Sequence, residues 1–421
     1  MIETKLLFPG VTLRCCRDTR FKQGAMSIQF LRPMAKEESA MNALLPAVLL
    51  RGTRNHPDLK TITEHLDALY GASVNPLVRR IGDYQTTGLY LGFMDDRFAL
   101  PGDRVLEPVL DFAGEVLLEP LLENGTFLSS FVEGEKKNLI ATIESDLNDK
   151  RIYAMGKLLR VMCQGDPFGL PRLGEKEDVS AIGPEALYDH YKKVLRESPV
   201  EIFYVGSAAP EAVAELLKPM FTSLQREPVT LAPQTPLRGG TGRDVVETME
   251  VSQGKLCLGY VTPITNRDPE FPAMQVFNAL FGAGMTSKLF QNVREKKSLC
   301  YSIGSAYYGT KGIVTVSAGI DFDKEAETRE EVEKQLAACR NGFITEEELT
   351  AAKEALLSSL RATADSLSAL EGYYATAALS GLALSREQYM AAVEKVTLRD
   401  AVEAAKTVKP HTSYFLRGGN P

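Results

Sequence analysis

Two stretches of the chain repeat one pattern of apolar and polar positions. Residues 59–70 carry a helical period, 72–80 and 84–93 alternate with β-branched and aromatic enrichment, and Gly82 with Asp83 makes the turn between them. Further on, 287–297 reads as a helix, 299–308 and 313–320 as strands, and 309–312 as their turn. Long helical segments follow each pair, at 102–118 and 125–160 and then at 323–340 and 345–379. In the last of these, Thr345 and Glu348 have capping-box spacing, and Leu349, Ala352, Leu356 and Leu360 form the apolar stripe. The pattern predicts an α+β plan, present twice.

A change of composition separates the two copies. Residues 228–242 hold three Pro and three Gly, a linker signal that is partly extended and partly flexible. The expected organisation is a domain over 1–227, a linker over 228–242 and a second domain over 243–421. Each part has the size of an independent core.

Charge and composition narrow the function. The 421 residues carry a net charge of −7, which argues against the clustered basic face of a nucleic-acid or membrane-surface protein. The opening residues lack the apolar run and cleavage site of a signal peptide, and no stretch approaches the ~20 apolar residues of a membrane span. The six cysteines include no Cys-x-x-Cys, and Cys15 and Cys16 are adjacent in a strand-like segment. They give neither a disulfide framework nor a structural zinc site, and suit a reducing cytoplasm. His56, His65, His190 and His411 are scattered, with His65 expected on the exposed face of a helix. No Ser/His/Asp or Cys/His set announces nucleophilic catalysis.

Two polar residues stand out in the second copy. Arg294 lies one turn beyond Phe290 at the edge of the inner face formed by Leu289, Phe290 and Val293, and Tyr301 follows seven positions later. Alternation puts Leu299, Tyr301 and Ile303 on one side of a strand. From spacing alone Tyr301 is then an ordinary core tyrosine, and Arg294 an ion-pair partner for Glu295 or another carboxylate. Gly282 and Gly284 follow a helical segment rather than a strand, so a dinucleotide loop is not implied; a hinge or a close backbone approach near a substrate is.

Taken together, residues 281–303 resemble the helix-to-strand segment in the C-terminal half of pitrilysin/insulinase-type zinc peptidases. Gly52-Thr53 and the block from Tyr70 to Asn75 add to the likeness, which extends over nearly the whole chain. The resemblance implies two similar domains in tandem, each a mostly antiparallel sheet packed by helices. It also implies that Arg294 and Tyr301 hold a substrate peptide: a planar set of guanidinium donors and a neutral hydroxyl can grip peptide carbonyls and support an oxyanion.

The family's inverted His-x-x-Glu-His falls on Ala43, Pro46 and Ala47, and its further Glu ligand falls on Thr142. A catalytic zinc needs three protein ligands and a water held by a base. Ala43 and Ala47 have no lone pair to offer, and Pro46 has no acid–base function. A shift of two residues would bring Glu144 to the last position, but one carboxylate cannot hold the metal. The resemblance therefore implies no metal in this chain and zinc in a partner: the non-catalytic member of a two-chain peptidase, paired with a zinc-bearing paralogue and acting on peptides. The alternative is a homodimeric peptide-binding or structural module with no peptidase partner.

Overall fold

The structure, a computed structural model, describes residues 2–222, 224–237 and 242–419; Arg238 to Thr241 of the expected linker lie outside the described residues. The chain begins with β1 (Ile2–Phe8), β2 (Val11–Arg17), β3 (Gln23–Pro33), α1 (Lys36–Leu49) and α2 (Leu59–Ala68). Then come β4 (Ser73–Ile81), β5 (Tyr84–Met94), α3 (Leu106–Leu118) and the short pair β6 (Leu122–Glu123) and β7 (Thr126–Phe127). They are followed by α4 (Ser129–Asn148), α5 (Lys150–Met162), α6 (Lys176–Ala181), α7 (Pro184–Glu197), β8 (Val200–Gly206) and α8 (Pro210–Thr222). The second part holds β9 (Asp244–Met249), β10 (Gly254–Val261), α9 (Phe271–Phe281), a π-helix (Leu289–Lys296), β11 (Cys300–Tyr308) and β12 (Ile313–Ile320). It ends with α10 (Glu325–Arg340), α11 (Glu346–Ala362), α12 (Leu367–Ser380), α13 (Arg386–Lys395), α14 (Leu398–Thr407) and β13 (Lys409–Gly418).

The described residues gather into two compact units, each assembled from three stretches of chain. One takes residues from 1–144, 170–233 and 364–376; the other takes them from 145–169, 234–363 and 377–421.

The first unit is built on a sheet of order β1-β2-β8-β3-β5-β4, antiparallel except for the parallel pair β2 and β8. Its central strand β3 is buried along all but its two end residues. Met26, Ile28 and Phe30 join an apolar core that also takes Leu44 and Val48 of α1, Val109 and Phe112 of α3 and Tyr191 of α7. On the alternate positions Ser27 and Gln29 meet Glu371 of α12, whose fully buried carboxylate accepts two hydrogen bonds from Arg79 at 2.8 and 2.6 Å. A charge that far from water is tolerated because it is paired and hydrogen-bonded at both oxygens.

The second unit has a sheet of order β11-β12-β10-β13-β9, antiparallel except for the parallel pair β13 and β9. Strand for strand this is the order β4-β5-β3-β8-β2 of the first unit. The duplicated α+β plan, with a mostly antiparallel sheet in each copy, is thus the architecture.

Several details depart from the sequence reading. The helix expected over 125–160 is interrupted at Asp149, whose extended backbone and side chain cap α5 through the Arg151 amide at 2.9 Å. That over 345–379 breaks between α11 and α12 at a 3₁₀ turn, Thr363–Asp365, after which the Ser366 hydroxyl accepts from the Ala369 amide at 3.3 Å. His65 is half-buried rather than exposed: its ring centre lies 4.5 Å from that of His56 and 5.1 Å from that of Phe112, tilted against both. The Thr345–Glu348 capping box is present, with hydrogen bonds of 3.1 and 2.9 Å.

Candidate functional site

The segment that delivers Arg294 and Tyr301 begins at a crowded turn. A Cβ on Gly282 would stand 2.6 Å from Ser305 Oγ and 2.7 Å from Leu289 Cδ1, so only glycine lets α9 end against β11. The close backbone approach is at Gly282 alone; a Cβ on Gly284 would meet nothing within 4 Å. The helix that follows is wider than the expected α-helix: Lys297 N donates to Asn292 O at 3.2 Å, a five-residue step. Single π turns often accompany functional sites, and eight consecutive residues are rare. Three ties hold this one, Lys288 to Glu348 and Lys297 to Glu331 at 2.8 Å and Asn292 to Gln335 at 2.9 Å. It ends at Ser298, in the left-handed region with φ 53°.

Arg294 rides on the half-exposed side of this helix. Its guanidinium lies 4.6 Å from the centre of the Phe290 ring and 3.3 Å from Glu295. Tyr301 is not the core residue that strict alternation implies. Cys300 pairs with Ile320 and Ser302 with Gly319, so Tyr301 is the extra residue of a β-bulge. The bulge breaks the alternation, and the side chain is 60% exposed. Its hydroxyl donates to Asp321 Oδ1 at 2.9 Å, which lifts the phenol above its ordinary ionisation range. Between the two, burial pushes the Cys300 thiol up to about 11 against the opposing charge of Arg294. That leaves Cys300 a protonated thiol at neutral pH rather than a nucleophile. Arg294 and Tyr301 do not bond to each other; each presents donor capacity near the N-terminal end of β11, the edge strand of its sheet.

Asp321 escaped the sequence reading. Its only signal was position, directly after a strand and before Phe322.

None of the four positions that would carry metal chemistry holds a ligand side chain. Ala43 and Pro46 are buried in α1, Ala47 is half-buried, and Pro46 borders a small apolar space of about 10 Å³ lined by Phe30, Leu45, Leu49, Leu117 and Tyr191. Thr142 is exposed on α4 with its hydroxyl turned back to Asn138 O at 2.9 Å. Glu144, the alternative, pairs with Lys176. Among the described residues no group of three or more His, Cys, Asp or Glu side chains is placed to hold a metal ion. These residues do not fit a zinc ion.

A repeated α+β unit with an Arg and a Tyr in the segment leading into one edge strand, and without the metal ligands in the other copy, is the plan of a pitrilysin/insulinase-like peptidase homologue with a degenerate metal site. The comparisons agree. The chain belongs to the M16 peptidase family: it is 31% identical over 416 residues to Probable inactive metalloprotease YmfF of Bacillus subtilis, covering 99% of this chain and 98% of that protein. A family model described as the peptidase M16 inactive domain matches residues 181–356. An uncharacterized zinc protease of Rickettsia felis is 26% identical over 263 residues, 61% of this chain and 62% of that protein. Among solved structures, a conserved protein from Enterococcus faecalis superposes with a TM-score of 0.92 at 28% identity, covering 100% of this chain and 99% of the other.

Proposed function

We propose that this inactive M16 homologue is the substrate-positioning subunit of a two-chain zinc endopeptidase that acts on peptides. A zinc-bearing M16 paralogue supplies the metal and the general base, and Arg294 and Tyr301 act in trans on the bound peptide. The observation that carries the reading is the bulge at Tyr301, which leaves the tyrosine exposed on an edge strand that directly follows the helix carrying Arg294. An edge strand offers unpaired backbone groups to an extended peptide, and the two side chains add donors for its carbonyls. Neither residue can activate water, so the pair has a catalytic use only opposite a metal held by another chain. Six buried cysteines, none in a Cys-x-x-Cys pair, fit a reducing cytoplasm as the setting, and no helix among the described residues is long and apolar enough to cross a membrane.

The test is peptide cleavage by this chain alone, by the zinc-bearing paralogue alone and by their mixture, each with and without a chelator. Activity confined to the mixture and lost on chelation supports the split site. Peptide binding by this chain with no activity in the mixture supports the homodimeric binding module instead.

A further inference from the structure

Beside Ser302, the residue after Tyr301, lies a cavity of about 600 Å³ that the reading above does not use. Its lining includes Asp149, Lys150 and Arg151 at the start of α5, Glu250 in the turn before β10, Lys255 of β10 and Ser302 of β11. Sheet register explains why a hollow forms here. Lys255 pairs with Gly319 and Gly319 with Ser302, so the three form one row across β10, β12 and β11 and share a face. Two residues along β10 on that face, Cys257 is covered by Ala154 and Leu158 of α5. The helix starts level with the Lys255 row and leaves it open. The row's middle position has no side chain, and a Cβ on Gly319 would come 3.1 Å from Ser302 Oγ and 3.0 Å from Gln253 Oε1.

The lining is cationic on balance, with Lys150, Arg151 and Lys255 against Asp149 and Glu250. Arg151 is already paired with Asp149 at 2.9 Å. Lys150 Nζ donates to Leu147 O at 3.2 Å and lies 5.5 Å from the Tyr153 ring centre. Lys255 is half-buried and hydrogen-bonds Gln253, and no carboxylate among the described residues lies within ion-pair distance of it. Burial, and then the charge of Arg151, lowers the ammonium below its ordinary range. A carboxylate brought into the cavity would offset both effects.

We propose that this cavity is a specificity subsite for a peptide carboxylate, with Lys255 as its principal contact and Arg151 as support. The proposal rests on the edge-strand reading. A peptide added along β11 directs alternate side chains to the α5 side of the sheet, and the one abreast of Ser302 enters the cavity. The carboxylate belongs to a Glu or Asp side chain at that position, or to a C-terminus that ends there.

The experiment uses the full chain and fluorescein-labelled decapeptides of Ala, Ser, Thr and Tyr. A single Glu or its Gln counterpart is walked along the peptide, and each is prepared as free acid and as C-terminal amide. Fluorescence anisotropy should show one position at which Glu binds about three- to tenfold tighter than Gln, a preference that fades with salt. Lys255→Met should abolish it and Arg151→Ala weaken it, in variants whose melting curves stay cooperative. Gly319→Ala, which crowds Ser302 Oγ and the Gln253 that Lys255 bonds and leaves every charge in place, should weaken it too. A preference that survives amidation assigns the carboxylate to a side chain; one that follows the free acid assigns it to the terminus. Equal affinity for Glu and Gln at every position and for acid and amide, or a preference unchanged in Lys255→Met, overturns the subsite. If in that case Arg294→Ala still weakens all the peptides alike, the edge-strand reading stands without it. Absence of saturable binding to any peptide overturns both.

Discussion

Tyr301 and Asp321 are joined by a 2.9 Å hydrogen bond in which the phenol donates to the carboxylate. On the proposed reading the hydroxyl that would meet a peptide carbonyl is already in use, and a substrate has to compete with the Asp321 carboxylate for it. Asp321→Ala removes the competitor. The expected result is a few-fold tighter peptide binding by this chain, measured by anisotropy.

The same pair fixes a titration. Asp321 raises the Tyr301 phenol above 10, so the neutral donor is retained as pH rises through the ordinary tyrosine range. A raised folded-state value gives stability that is present below the unfolded value and lost as pH climbs through the folded one. Phenolate absorbance of the wild type minus that of Tyr301→Phe should show ionisation above pH 10. Asp321→Ala should bring it back toward 10, and an unmoved curve would mean that the hydrogen bond does not form in solution.

For the assembled pair, Arg294→Ala or Tyr301→Phe should lower turnover by about 10²- to 10³-fold, as loss of one preorganised donor does elsewhere. Co-elution with the zinc-bearing chain should be unaffected. Arg294→Lys should rescue little, because an ammonium lacks the planar fork and stacks less well on Phe290. Full activity in the double variant would remove the trans-acting role.

Acid sensitivity should come from His190. It is 4% exposed, and burial, above all, brings its value from 6.5 down to about 4. Its Nε2 lies 2.7 Å from Asn42 Oδ1; the Asn42 amide donates to Gln85, so the imidazole Nε2–H is the donor in this pair. A depressed value gives stability that is complete above 6.5 and lost as pH falls through 4. The shift corresponds to roughly 3 kcal/mol. His190→Gln should flatten the loss of urea stability between pH 6.5 and 4, whatever it costs at pH 8.

Reinstalling metal chemistry at Ala43, Pro46, Ala47 and Thr142 should fail. Pro46→Glu alone puts a carboxylate beside an apolar space of about 10 Å³, at a cost of several kcal/mol that relief of the mid-helix proline does not cover. The quadruple substitution to His, Glu, His and Glu should melt lower than wild type and carry no stoichiometric zinc by elemental analysis. One zinc per chain at an unchanged melting temperature would contradict the packing argument.

Much of this was legible in the sequence. Period-two and helical patterns located both β pairs, and the absence of donors at Ala43, Pro46 and Ala47 needed only the residue types. What stayed hidden involved contacts distant in sequence or details of register. Nothing in Leu299, Tyr301 and Ile303 announces a bulge, because an inserted residue shows only against the partner strand, so Tyr301 read as core. His56 and His65 looked unrelated until the fold brought their rings together. Lys255, Gly319 and Ser302 lie on three strands, and only sheet pairing makes them neighbours.

The way the two units divide the chain has a consequence for its synthesis. The first unit takes residues 364–376, including the Glu371 that pairs with Arg79, and the second takes 145–169, including the Ala154 and Leu158 that cover Cys257. On a ribosome the earlier unit has to wait for almost nine-tenths of the polypeptide to emerge before its last helix arrives. Until then the buried face of β3 carrying Ser27 and Gln29 lacks its cover, which makes the nascent chain a client for whatever shields unfinished sheets. The two halves, expressed as separate fragments cut near residue 235, should each be poorly soluble and recover together.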